Sequence, residues 1–479
     1  MTSKRLALEE IARDALIQRG FLPEFPKNAL EQLESIHTPA QEHKEVKDLR
    51  HFLWISIDNE DSKDLDQLTY AEANRLYVAI ADVDAVVKKG TPIDAFAAHN
   101  TTSIYTPTKV FPMLPLKLSN NLTSLNEHCD RCAIVIEVSI AEDGKFDLAA
   151  IYHALVHNKA KLNYPCVGAW LEHAICKKPI PSIAGLHEQL ALQDRLAQKI
   201  QEYRNRQGAL EFAEMQLQPI LVNGIPVSLE QQERNRAHKL IENSMIAANV
   251  AVTCYLKQAH HATLRRVVKT PKRWDRILAI AKNVGETLPT QPEPKALRQF
   301  LLKQQKEAPL QFPDLSLAII KLLGRGEYVL GIPGKPSPGH FDLAEHEYTH
   351  ATAPNRRFPD LIMQRLLKCA LLQRQAIYTN EELAQLAFHC TEKEDDASKI
   401  ERQLTKCAAA FVLQKELGRE FQAMVTGVTP RGTWVRLQTP PVEGKLIKSQ
   451  QGLDVGDFIK VKLVHVDVRH GHIDFTRLS

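Results

Sequence analysis

Between Trp54 and Gln67 the chain reads Trp-Ile-Ser-Ile-Asp-Asn-Glu-Asp-Ser-Lys-Asp-Leu-Asp-Gln. Three carboxylates in this stretch have types and spacing suited to chemistry. Asp58 ends an apolar, β-branched run that begins at Phe52, and Asp64 and Asp66 follow six and eight residues later. The run predicts a short strand holding Asp58 rigidly, after which a polar loop delivers the other two. With Leu65 between them, Asp64 and Asp66 leave an extended backbone on the same side. A cluster of oxygen donors suits a hard divalent cation, Mg²⁺ or Mn²⁺. Without a cation, carboxylates so close together repel one another and raise their pKa values. On residue types alone, a solvated acidic turn is an equal reading.

The elements that must position these groups follow from composition and pattern. A chain of 479 residues, 44% hydrophobic and 25% charged, predicts roughly two to four globular domains. Its net charge of +4 is too small for a global field, so nucleic-acid binding would depend on local clusters. The start has no apolar core, so no secretory leader is expected, and no apolar run is long enough for a membrane span. Eight scattered cysteines predict a reducing compartment, hence the cytoplasm, and the lone Cys129/Cys132 CxxC lacks the second pair of a zinc site.

Residues 1–50 predict a small helical unit, possible as a helix-turn-helix: Leu8, Ile11, Ala12, Ala15 and Leu16 share a helix face that Gly20 ends, and a second helix starts near Asn28. A main domain of strands, then mainly helices, spans 51–417. Its last helix is expected from Glu392, with Thr391 and Glu394 as a capping box. Residues 418–479 predict a separate barrel of four or five short glycine-punctuated strands, an OB-fold.

Taken as a motif, Ile57-Asp58, five residues, Asp64-x-Asp66-Gln67 resembles the signature of the ribonuclease II family, the RNB domain. Asp58, Asp64 and Asp66 fall on its first three acidic positions, and Gln67, a neutral amide, replaces the fourth. Further blocks follow in the family's order. Val78 to Val83 resembles a family strand that would bring Asp82 near the acidic loop. Thr101-Thr-Ser-Ile-Tyr-Thr-Pro matches the block whose tyrosine, here Tyr105, stacks on the terminal base. His346 to Arg365 matches the arginine loop, with Arg356 at the position that faces the scissile phosphate, Arg357 beside it for an adjacent phosphate, and Asn355 where the family has isoleucine. Ala397 to Arg402 places Glu401 at the glutamate that contacts the last nucleotide. Phe421 to Arg436 resembles an S1-type RNA-binding barrel, with Trp434 as an aromatic and Arg431, Arg436, Lys445, Lys448, Lys460 and Lys462 as cations for the phosphate backbone.

The resemblance implies an α+β fold: an RNB catalytic domain with a mixed sheet surrounded by helices, a small helical N-terminal unit and a C-terminal five-stranded S1-type barrel. It implies a processive, metal-dependent 3′–5′ exoribonuclease that hydrolyses single-stranded RNA to nucleoside 5′-monophosphates. Asp58, Asp64, Asp66 and Gln67 would hold Mg²⁺ or Mn²⁺, with Arg356 clamping the phosphate. No small-molecule cofactor and no membrane are expected, and a monomer is. The alternative is a degenerate member that binds RNA with little or no hydrolysis because Gln67 brings no charge. A DNA-binding regulator built on the N-terminal helices is a third reading.

Overall fold

In the computed structural model, which describes every residue except 1, 42–45, 177, 214–215, 233, 310, 431 and 479, two helices, α1 (Thr2–Gln18) and α2 (Lys27–Ser35), precede a curled sheet. Arg431, among the cations expected on the barrel, therefore lies outside the described residues. The sheet takes β1 (Lys47–Asp48), β2 (Trp54–Asp58), β3 (Gln67–Glu72) and β4 (Arg75–Ala81). After helix α3 (Pro92–Asn100) and a ribbon of β5 (Ile104–Tyr105) and β6 (Val110–Phe111), it adds β7 (Asp130–Ile140) and the long β8 (Phe146–Asn163). Strand order is β1-β8-β2-β3-β4-β7, with β7 also paired to β8. The first part of β8 pairs antiparallel with β7 and its last residues run parallel to β2, so the sheet closes back on itself. Trp54, Ile55, Ser56 and Ile57 are all buried, as expected of a strand covered on both faces.

Helices α4 (Tyr164–Leu171), α5 (Leu186–Gln207) and α6 (Arg236–Gln258) pack on β2 and β8 through Ile57, Leu162, Val167, Leu190 and Leu240. Asn235 caps α6 by accepting from the Ala237 and His238 backbone N–H groups. Between α5 and α6 lies a hairpin, β9 (Gln216–Val222) and β10 (Ile225–Gln232), in a region whose sequence was expected to be mainly helical. Its turn is Asn223-Gly224, both at positive φ (55° and 74°), the pair that a two-residue type I′ hairpin demands. A second ribbon, β11 (Thr263–Val267) with β12 (Glu327–Gly331), brackets a helical cluster of α7 (Trp274–Asn283), α8 (Pro294–Glu307) and α9 (Phe312–Leu323).

Helix α10 (Phe358–Leu371) is buried from Phe358 to Ala370. Two of its polar residues, Gln364 and Arg365, are satisfied there: Gln364 bonds the Ala81 carbonyl and the Asp84 N–H, and Arg365 meets Asp84, Asp94 and the Tyr378 hydroxyl. Helix α11 (Asn380–Leu413) starts well before the expected Glu392. Thr379 is the true cap, accepting from the Glu382 N–H. Thr391 sits inside the helix, where its hydroxyl donates back to the Ala387 carbonyl and accepts from Tyr328 N–H. Two Thr-x-x-Glu patterns compete in this stretch, and the buried series Leu383, Ala387 and Cys390 selects the earlier one.

Five strands, β13 (Glu420–Thr429), β14 (Gly432–Leu437), β15 (Glu443–Lys448), β16 (Phe458–Asp467) and β17 (His472–Arg477), form a closed barrel in the order β13-β14-β15-β17-β16. Leu413, Ala409 and Ala410 of α11 pack into the barrel core beside Val425, Val461 and Phe475, so α11 ties the barrel to the main body. Arg436 is mostly buried and pairs with Asp314 of α9 at 2.7 Å, which makes it a docking residue of the barrel. Lys445, Lys448, Lys460 and Lys462 remain exposed.

Gly444 lies where β15 passes the barrel core, and a Cβ there would overlap the Phe475 ring and the Ile473 carbonyl. Gly444→Val is therefore expected to destabilise the barrel by about 2 kcal/mol or more, read as a lowered unfolding midpoint in urea. An unchanged midpoint would show that the core has room the packing does not display.

Candidate active site

The acidic loop is built by anchoring its apolar residue. Leu65 is buried in the main core, its N–H donates to the Ser124 hydroxyl (2.9 Å), and its carbonyl accepts from Leu125 N–H (2.9 Å). With Leu65 fixed inward, Asp64 and Asp66 flank it, and the Asp66 carbonyl accepts from Ala81 N–H of β4 (3.0 Å). Lys161 of β8 spans the loop by donating to the Ser62 and Glu60 carbonyls. Asp58 stands at the end of β2, opposite Asn163 of β8.

The arginine loop approaches from the other end of the chain. Asp360, in the first turn of α10, accepts from Ala353 N–H (2.8 Å) and from Arg357 Nη2 (2.7 Å), which folds residues 353–357 into a tight turn. That turn presents two donors to one carboxylate: Asn355 N–H reaches Asp66 Oδ1 at 2.8 Å and Arg356 Nε reaches Asp66 Oδ2 at 2.9 Å. Asn355 is held in turn by its side chain, which bonds the Thr123 hydroxyl (2.6 Å) and carbonyl (2.9 Å). The residues between α3 and β5 form the third wall. Ser103 N–H donates to the Arg356 carbonyl (2.9 Å), Tyr105 donates its hydroxyl to Asp64 Oδ2 (2.7 Å), and Tyr105 N–H donates to Glu401 Oε1 of α11 (2.8 Å).

One connected set of bonds thus brings together Asp64, Asp66, Arg356, Tyr105 and Glu401, and Asp58 joins it electrostatically through Asp64 and Arg356. Gln67 begins β3 opposite Ile80 with its side chain buried, and among the described residues its amide bonds none of the three aspartates. Arg357 is committed to Asp360, and its Nε is buried without a partner. Trp434 lies on the barrel strand β14, half-buried, opposite Lys445 and over Gly427, and among the described residues no hydrogen bond joins it to the other site residues. Asp82 does not serve the acidic loop. Its carboxylate is held by Lys368 Nζ (2.8 and 3.0 Å), part of a separate buried ion cluster with Asp84 beneath α10. Thr123 and Ser124, which help orient the site, carry no signal in the sequence, and Asn355 shows there only as a departure from the family's isoleucine, because only the fold brings them to the carboxylates.

Electrostatics divides the site into a dry side and an open side. Asp66 is 1% exposed, and burial pushes its carboxyl up to about 7 although Arg356 and the Asn355 N–H pull the other way. Burial pushes Asp58 up to about 6, again against Arg356, while Asp64 adds to the rise. Arg356 is raised above its ordinary value by Asp66, Tyr105 and Asp64 despite its own desolvation, yet 42% of its side chain is exposed. Only its Nε is engaged by a side chain among the described residues, which leaves the terminal nitrogens for a ligand. Burial also raises Glu401.

Among the described residues, no group of three or more His, Cys, Asp and Glu side chains is drawn tightly enough to cage an ion. The donor set nonetheless fits a hard cation. Asp58 Oδ2 is buried and has no hydrogen-bond partner, both flanking aspartates carry oxygen donors only, and two of the three carboxyls are held near neutrality by burial. Asp64 would have to turn from the Tyr105 hydroxyl to join them.

A curled mixed sheet carrying a carboxylate loop, met by an arginine loop and followed by an OB barrel, defines the class. Residues 46–373 match the RNB domain, and the chain belongs to that family. Residues 419–478 match the RNase II-type exonuclease C-terminal S1 domain. The chain is 29% identical to Ribonuclease R of Escherichia coli over 90% of its own length and 57% of that protein's. It is 30% identical to Ribonuclease R of Thermotoga maritima, over 94% and 68% of the two chains. The chain thus spans little more than half of the Escherichia coli protein. Its fold superposes on the apo form of Mycoplasma genitalium RNase R with a TM-score of 0.87 at 23% identity, covering 98% of this chain and 77% of that one. Among the described residues, no helix is long and apolar enough to cross a membrane.

The raised carboxyls have a signed consequence. Asp58 and Asp66 hold protons more tightly folded than unfolded, so the stability they contribute is fully present below the ordinary carboxylate range and is lost as pH rises through about 6 and 7. In EDTA, the wild-type chain should therefore lose roughly 1–3 kcal/mol more than Asp58→Asn between about pH 4 and pH 7 in urea titrations. Parallel curves for the two proteins would contradict the burial of Asp58.

Proposed function

We propose that the chain is a metal-dependent 3′–5′ exoribonuclease that shortens single-stranded RNA one nucleoside 5′-monophosphate at a time. The observation that carries this reading is the continuous bond path from Asp66 through Arg356 to the residues beside Tyr105 and on to Glu401, which supports a phosphate site beside a base site. Asp58, Asp64 and Asp66, with the Gln67 carbonyl as a neutral donor, would hold a divalent cation, which when bound would supply Lewis-acid polarisation of the phosphate. Arg356 offers its terminal nitrogens to two phosphate oxygens and offsets charge that grows in the transition state. Asp66 and Asn355 keep that guanidinium from swinging away. The Tyr105 ring, 42% exposed, provides the face on which any terminal base stacks, so grip does not depend on sequence. Glu401 braces the Tyr105 main chain. Trp434 with Lys445, Lys448, Lys460 and Lys462 holds the body of the strand by stacking and charge.

The second reading, an RNA-binding member with weak or no hydrolysis, is favoured by one feature: Gln67 is neutral where the family signature is acidic. The two separate on purified protein with 5′-labelled oligo(A) and Mg²⁺ or Mn²⁺. The exoribonuclease reading expects stepwise monophosphate release, a loss of about 10³-fold or more in Asp66→Asn, and about 10²–10³-fold in Arg356→Ala. It also expects Gln67→Asp to lower the Mg²⁺ concentration needed. Tight binding with no release, in wild type and in Gln67→Asp alike, would establish the second reading instead.

A further inference from the structure

The ribbon that carries Tyr105 is too small to hold itself in place. Strands β5 and β6 contribute two residue pairs, Ile104 with Phe111 and Tyr105 with Val110, and isolated ribbons of even greater length are marginal in water. Alternation along β5 sends Ile104 inward, 1% exposed, and Tyr105 outward. Ile104 and Phe111 enter one apolar cluster with Ala12, Leu16 and Phe21 from the N-terminal segment and with Ile400 and Leu404 from α11. Ile400 and Leu404 flank Glu401, the residue that takes the Tyr105 N–H. The helix α1 therefore forms the back wall of the platform whose front is the Tyr105 ring.

The segment is fastened on every side. Gly20, at φ 70°, closes α1 with Phe21 N–H returned to the Leu16 carbonyl at 3.0 Å. The Gly20 carbonyl accepts from Lys393 of α11 and from the His99 ring of α3. Asn100, next to the ribbon, exchanges two hydrogen bonds with the Leu22 backbone (3.0 and 2.8 Å). Arg19 pairs with Asp396 of α11 at 3.2 Å. At the other end, Leu8 and Ala12 line a small gap with Pro107 at the ribbon's turn and Leu404 of α11.

We propose that α1 is a positioning element for the RNA 3′ end: its Leu16 face wedges the β5–β6 ribbon against α11 and so fixes where the Tyr105 ring stands. This rests on the reading that Tyr105 stacks on the terminal base, and it assigns the N-terminal helix to the site itself. The barrel, which would bind the remaining strand, meets α1 through the exposed Arg469–Asp14 pair (3.3 Å) and shares no core residue with the Leu16 cluster, so changes at Leu16 leave that binding in place.

The test uses the full chain, in EDTA, with oligo(A) carrying 2-aminopurine at its 3′ end, whose fluorescence falls on stacking, and a 5′-fluorescein oligo(A) for total affinity. Wild type is expected to quench the 2-aminopurine and Tyr105→Ala to lose most of that quenching. Leu16→Glu, and more mildly Leu16→Ala, should lose it too, while 5′-fluorescein affinity stays within about threefold of wild type. Leu16→Ala keeps an apolar side chain and covers the case in which Leu16→Glu does not fold. In a Tyr105→Ala background neither change should alter the signal further, a non-additivity that general destabilisation would not produce. Full quenching in folded Leu16 variants, a parallel collapse of total affinity, or no quenching in wild type would each overturn the proposal. Quenching that behaves as expected in a wild-type chain that releases no monophosphate with Mg²⁺ or Mn²⁺ supports the role of α1 and sinks the exoribonuclease reading alone.

Discussion

The site depends on one buried carboxylate meeting one guanidinium. Asp66 and Arg356 are 290 residues apart in sequence, and Asp66, 1% exposed, would be costly where it stands without the guanidinium. Asp66 has lost its water, and two N–H donors, from Asn355 and Arg356, compensate only in part, so its carboxyl rises to about 7. A buried pair of this kind adds little net stability, but removing one member leaves an uncompensated charge. The pair is therefore better understood as a register device. It allows the arginine loop to close on the acidic loop in one arrangement only, because Asn355 must donate to one Asp66 oxygen while Arg356 donates to the other.

A backbone ladder carries that register outward. Phe358 N–H donates to the Thr101 carbonyl, Thr102 bridges Arg357, and Ser103 N–H donates to the Arg356 carbonyl. The segment leading into β5 is thus zipped to the arginine loop by main-chain bonds, which do not depend on side-chain identity. Two residues on, Tyr105 passes to α11 through Glu401. Helix α11 then runs into the barrel core through Ala409, Ala410 and Leu413, and the Arg436–Asp314 pair docks the barrel's other side on α9. The arginine loop, the Tyr105 ribbon and the barrel are therefore tied into one connected frame.

Much of this was legible from residue types at fixed spacing. The strand ending at Asp58, the flanking of Leu65 by Asp64 and Asp66, the α1 face and its Gly20 stop, and four of the five barrel strands all follow from local period and turn chemistry. The misses share a cause. The hairpin at Asn223-Gly224 carries a strong turn signal, but its neighbours in sequence are helices, and the regional tendency masked it. The start of α11 was misplaced because two capping patterns competed and only burial decides between them. The motif leaves Asp82 open between a place near the acidic loop and a surface turn, and Lys368, far along the chain, determines what its carboxylate does. Asn355 looked like a bare departure from the family's isoleucine. The structure gives it a reason: its amide grips Thr123, which a hydrocarbon side chain could not do.

Charge balance explains why Gln67 need not be a defect. Asp58, Asp64 and Asp66 bring three negative charges and Arg356 one positive charge, which leaves two to be offset, the charge of a single divalent cation. A fourth carboxylate at position 67 would leave the site one charge more negative, an excess that a second cation is suited to absorb. On the proposed metal-dependent reading, the neutral amide would suit a site poised around one ion, with Arg356 supplying fixed positive charge nearby. On the same reading burial would tie ion occupancy to pH, because carboxyls raised to about 6 and about 7 would give up protons on ion binding. On that proposed reading the substitution would lower the number of ions the site could hold, and it leaves the bonds from Asn355 and Arg356 to Asp66 intact.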